Sequence, residues 1–136
     1  MSIPLRPNWI LSSVILLSFW CPARPALAEP EPSARWVSVV IDYNDGVQKH
    51  FKRVAWQSGL TVLDAMQIVG KHPRGIRFSY RGKGARALLY RIDDLENESN
   101  GHNWIYRING TLADRSFGIR KIKQGDTILW KYEKFQ

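Results

Sequence analysis

Alternation of apolar and polar residues dominates the last third of the chain. Trp104, Tyr106 and Ile108 alternate with Ile105 and Arg107. Successive strand side chains point to opposite faces, so the first three share one face. Asn109-Gly110 follows at once. Both residues tolerate the positive φ that a type I′ turn demands, so the dipeptide predicts a hairpin. Ile128, Trp130 and Tyr132 share a face opposite Thr127, Leu129 and Lys131, and Gly125-Asp126 makes the turn that feeds this strand. Aromatics in this pattern read first as the core of a small sheet; those near the strand ends are also placed to line a ligand site.

The same period appears upstream. From Trp36 to Tyr43, Val37, Val39 and Ile41 take one face, with Ser38 and Asp42 on the other. Asn44-Asp45-Gly46 is a turn, and Val47 to Trp56 reads as the returning strand. Phe51 and Val54 fall on opposite faces of that strand, which leaves its register open. Then the period changes. Thr61 is placed to cap a helix reciprocally with Asp64, and Val62, Met66 and Val69 form one stripe with Leu63 beside it. Gly70 suits the C′ position and Pro73 stops any continuation, which predicts a helix over 62–69. A helix of two turns needs packing against the sheet to persist. Ile76 to Tyr80 and Ala87 to Ile92 predict two strands around Arg81-Gly82-Lys83-Gly84, and Asp93 to His102 reads as a polar loop. Thr111 to Gly118 has no clear period, and Ile119 to Ile122 predicts a short strand. The fold class is α+β.

The start of the chain has a different character. Arg6, an apolar run from Trp9 to Trp20, and the small-x-small site Ala26-Leu27-Ala28 together predict a secretory signal peptide over 1–28. The run is too short for a comfortable transmembrane helix of about 20 residues. Glu29-Pro30-Glu31-Pro32-Ser33 begins a Pro-rich tether, 29–35, ahead of a single domain over 36–136. Cys21, the one cysteine, leaves with the signal, so the exported form has no disulfide and no thiolate ligand. Loss of Arg6 and Arg24 takes the net charge from +8 to +6. The expected location is periplasmic or secreted. There, anionic glycans, lipid head groups and acidic proteins are the natural partners of a basic domain, rather than nucleic acid.

The pattern Trp104-x-Tyr106-x-Ile108-Asn109-Gly110, a spacer, then Gly125-Asp126-x-Ile128-x-Trp130-x-Tyr132 resembles the domain that closes the cobalamin carriers transcobalamin and intrinsic factor. It also resembles the stand-alone bacterial DUF4430 family. Thr61-Val62-Leu63-Asp64-Ala65-Met66 is similar to that family's helix start, so the resemblance runs from about residue 36 to 132. It implies a β-grasp-like fold, a mixed sheet with one short helix packed across it. It also makes cobalamin the candidate cofactor. In the carriers a separate helical domain holds the other face of the corrinoid; this chain supplies half of such a site. The resemblance assigns no binding role to single residues.

Residue chemistry supplies two candidate sites. Trp104, Trp130 and Tyr132, with loop residues His102 and Asn103, offer an apolar wall and a polar rim for a small ligand. Arg77, Arg81, Lys83 and Arg86, in an acid-free stretch from Arg74 to Arg91, offer an anionic-surface contact, though without the spacing of a phosphate loop. The acidic segment Asp93, Asp94, Glu96, Glu98 lacks the order and glycine of a calcium-binding EF-hand loop. His50, His72 and His102 show no metal-ligand spacing, and no nucleophile motif or triad is recognisable. The sequence thus predicts a non-catalytic, extracytoplasmic binding module, possible ligands including a corrinoid. The alternative is a domain that docks on a protein or envelope surface through its basic hairpin.

Overall fold

The computed structural model describes residues 35–135, together with Ser2 and Pro4. The apolar run, the cleavage site and the Glu29–Ser33 tether lie outside them. The elements are β1 Trp36–Asp42, β2 Gln48–Ala55, α1 Val62–Gly70, β3 Phe78–Arg81, β4 Leu88–Ile92, β5 Leu95–Glu96, β6 His102–Ile108, β7 Thr111–Leu112 and β8 Thr127–Lys134.

Five strands form one sheet in the order β2-β1-β8-β6-β7, and β3-β4-β5 form a second, antiparallel one. The first and last strands of the fold lie side by side and parallel, with Val39 opposite Ile128 and Ile41 opposite Trp130. Hairpins flank this central pair, and α1 packs across the sheet. This is the β-grasp-like α+β arrangement that the sequence predicts. The residues that alternation put on one face are the buried ones: Val37, Val39 and Ile41 on β1, Trp104, Tyr106 and Ile108 on β6, Ile128, Trp130 and Tyr132 on β8. Val62, Ala65, Met66 and Val69 of α1 and Leu89 and Ile92 of β4 close the core.

Local chemistry sets the joints. Asn109 and Gly110 both take positive φ, 50° and 80°, as the hairpin turn requires. Thr61 and Asp64 form the reciprocal cap: the Asp64 amide donates to Thr61 Oγ1 at 3.2 Å and the Thr61 amide to Asp64 Oδ2 at 2.9 Å. The open register of β2 is resolved by a bulge. Val39 faces Phe51 while Val37 faces Val54, so two steps along β1 oppose three along β2. The extra residue brings Phe51 and Val54 to the same face, where strict alternation separates them.

Three expectations need correction. Gly70 is the last helical residue, and Lys71 takes the C-cap in the right-handed region, so no positive φ is used there. The loop Asp93–His102 contains β5, whose Leu95 pairs with Ile92. Residues 119–122 are not a strand. They run beside the helix start, where the Val62 amide donates to the Arg120 carbonyl at 2.9 Å and the Ile122 amide to the Leu60 carbonyl at 3.0 Å, with a single bridge between Thr61 and Lys121.

Candidate functional site

The pairing of β6 with β8 places Trp104 opposite Tyr132 and Tyr106 opposite Trp130. Their rings touch, with centroids 5.1 Å and 4.8 Å apart, and Phe117 meets Trp130 edge-on at 5.5 Å. Trp104, Trp130 and Tyr132 keep only 5%, 2% and 8% of their surface. Buried rings with polar atoms need partners. Trp104 Nε1 donates to the Leu95 carbonyl at 2.9 Å, and the Tyr132 hydroxyl to the Glu96 carbonyl at 2.7 Å. Both bonds tie β5 onto the aromatic wall. The Tyr106 hydroxyl donates to the Arg115 carbonyl.

Trp130 breaks this rule. Its indole Nε1 is buried and has no acceptor among the described residues. Trp130 also lines a pocket of about 280 Å³, with Trp104, Tyr106 and Phe117 as wall and Leu88, Leu112 and Phe135 toward its mouth. Leu88, Leu112 and Phe135 are exposed apolar side chains. An apolar cleft walled by aromatic rings has the composition of a small-ligand site.

The pocket wall is uncharged at neutral pH. Burial pushes the Tyr106 phenol up to about 12. Burial, then the bond with Glu98, raises Tyr132 above the usual range. Glu98 accepts from the His102 amide and from the Tyr132 hydroxyl, which hold its carboxyl below the usual range.

Of the sequence-predicted ligand residues, the structure brings Trp104 and Trp130 together on the pocket. Tyr132 sits behind Trp104, tied to β5. His102 stacks on Tyr132 at 5.5 Å and reaches Glu98 Oε2 through Nδ1 at 3.7 Å. It lines an adjoining, more polar recess with Arg107, Lys131 and Glu133, which shares Ile105, Leu112 and Phe135 with the aromatic pocket. Asn103 Nδ2 donates to the Gly101 carbonyl at 3.3 Å, in the turn before β6. Sequence reasoning missed Phe117, Leu88, Leu112 and Phe135 as lining residues. Phe117 lies in the stretch without a period, and the other three announce themselves only as apolar residues at exposed positions.

The basic stretch divides. Arg74 lines a groove against β2, whereas Arg77 lines a recess that also holds Asp45, Asp93 and Asp94. The Arg77 amide donates to Asp93 Oδ1 at 2.9 Å. Arg81 stands over the Tyr90 ring at 4.9 Å. Lys83 and Arg86 flank and end the short 3-10 turn Gly84–Arg86 at the hairpin tip, both exposed. Among the described residues no group of three or more His, Cys, Asp or Glu is placed to hold a metal ion. No helix among them is long and apolar enough to cross a membrane.

A β-grasp-like domain with one aromatic pocket is the class that fold and site define. The chain belongs to DUF4430, a family described as a domain of unknown function, whose model matches residues 59–134. No curated protein matches the sequence significantly. Among solved structures, a Ruminococcus gnavus protein described as a "putative metal binding protein" has a similar fold, with a TM-score of 0.57 and 10% identity over 74% of this chain and 97% of that one.

Proposed function

We propose that the protein is an exported, non-catalytic binding module whose ligand is a small, mostly apolar molecule carrying one hydrogen-bond acceptor. The observation that carries this reading is the aromatic pocket itself, in which Trp104, Tyr106, Phe117 and Trp130 lie beside the exposed apolar Leu88, Leu112 and Phe135. The indole N–H of Trp130 is in addition buried and without a partner among the described residues. A buried donor without a partner forfeits about 1–3 kcal/mol. A ligand that displaces the lining rings enough to bring an acceptor to this closed-off N–H recovers that loss while the rings bury its apolar body.

A pocket of about 280 Å³ sits just below the range of about 300–1,000 Å³ found for drug-sized ligands. The resemblance to the cobalamin carriers implies an open half-site for a corrinoid, whereas this reading takes the pocket itself as the seat of a smaller molecule. Metal binding, for which the structural neighbour is named, is not carried over, because the described residues gather no donor set of three.

Thermal unfolding in the presence of cyclohexanone, an apolar ring with one carbonyl, tests the reading. Methylcyclohexane, similar in shape but without an acceptor, is the comparison. Cyclohexanone raises the melting temperature more, and Leu88→Arg at the pocket mouth removes the difference. Equal responses to the two compounds, or none, contradict the proposal.

A further inference from the structure

At the end of the sheet remote from the aromatic pocket, β2 is the outermost strand and, among the described residues, pairs only with β1. We propose that this open edge, with the groove between β2 and α1, receives an extended acidic peptide segment of a partner protein. The backbone supplies the first argument. The Tyr43 amide donates to the Val47 carbonyl at 3.2 Å. Antiparallel alternation then turns the backbone groups of Lys49 and Phe51 toward β1 and those of Gln48 and His50 outward, ahead of the bulge at Lys52, whose carbonyl accepts from Ser38 Oγ at 3.4 Å. A row of outward amides and carbonyls pairs with another extended chain.

The groove supplies the second. It encloses about 580 Å³, with Phe51 and Ile68 as apolar floor and Lys52, Arg53 and Arg74 among its walls. No carboxylate lines it. Among the described residues, none of these three cations forms an ion pair, whereas Lys49 is held by Asp93 at 3.1 Å. The apolar floor takes alternate side chains of an added strand, and the cations select acidic ones. The same cations repel a second copy of β2, so self-pairing of this edge is disfavoured. A glycan or a lipid head group satisfies the charge but not the backbone row, and for that reason the occupant is a peptide. This inference does not rest on the aromatic pocket.

The test uses the purified protein and a fluorescein-labelled peptide of alternating Glu and Val, read by anisotropy, with amide hydrogen exchange on the complex. The expected result is saturable binding that weakens from low to physiological salt. The double variant Arg53→Glu/Arg74→Glu weakens it by about tenfold or more. Exchange slows at the Gln48 and His50 amides. His50→Pro also weakens binding, because its amide faces outward and its loss breaks no bond to β1; an unchanged melting temperature confirms the fold. Absence of binding overturns the proposal. So does equal binding of an alternating Lys-Val peptide. Binding that responds to the charge variant but neither to His50→Pro nor in the exchange of Gln48 and His50 marks a general anion-binding surface, and overturns strand addition as well.

Discussion

The Tyr43 hydroxyl donates to the Asp93 carboxylate across 50 positions of sequence, joining the end of β1 to the turn between β4 and β5. Asp93 is also the acceptor for Lys49 Nζ at 3.1 Å and for the Arg77 amide at 2.9 Å, and its own amide donates to the Arg77 carbonyl at 2.7 Å. This carboxylate therefore joins the second sheet to the first, alongside the bonds from Trp104 and Tyr132 to β5.

This junction sets a pH dependence. Burial works to raise the Asp93 carboxyl, but the bonds from Tyr43, Arg77 and Lys49 outweigh it and hold the carboxyl below its usual range. A carboxylate depressed in the folded state contributes stability above its unfolded pKa of about 4, and that contribution disappears as pH falls through the folded value. Asp93→Asn is expected to lose about 1–3 kcal/mol at neutral pH. Urea unfolding should show the gap to wild type narrowing in strong acid. A gap constant across pH would show that the carboxylate is not the holding group.

The β6–β7 turn makes a second prediction. Gly110 has φ of 80°, and a Cβ there would meet nothing within 4 Å. Gly110→Ala should therefore cost only the backbone strain, about 1 kcal/mol. Asn109→Ala should cost more, since Asn109 Oδ1 accepts from the Thr127 amide at 2.9 Å and Nδ2 donates to Asp126 Oδ1 at 2.8 Å. Chemical denaturation of both variants checks the order.

Phe117 makes a third. It packs edge-on against both Trp130 and Tyr80, and its carbonyl accepts from the Leu63 amide at 3.0 Å. Phe117→Ala should destabilise by about 3–5 kcal/mol. It should also open the pocket beside Trp130, shifting tryptophan emission to longer wavelength. A loss below about 1 kcal/mol would mean that this segment is not part of the core.

The strands were legible because period-two alternation survives wherever one face is buried, as in Trp104-Ile105-Tyr106-Arg107-Ile108. The reciprocal Thr61/Asp64 cap located the helix for an equally local reason. Register in β2 was hidden because a bulge changes which residues share a face while leaving composition untouched. Leu95–Glu96 was hidden because two residues carry no period. Ile122 read as strand because burial under the helix start selects an apolar residue without any ladder. The aromatic wall could be read from residue types. Which indole kept a partner could not, because the acceptors for Trp104 and Tyr132 are backbone carbonyls of β5.

The most direct test of the ligand site is the indole N–H resonance of Trp130, assigned by its loss in Trp130→Phe and followed while cyclohexanone is titrated into nitrogen-15-labelled protein. The account predicts that this resonance moves with saturation. The indole of Trp56, already bonded to the Ile122 carbonyl at 2.8 Å, should stay in place. If the Trp130 indole does not move, or if only the exposed Trp36 responds, the aromatic pocket is not the binding site.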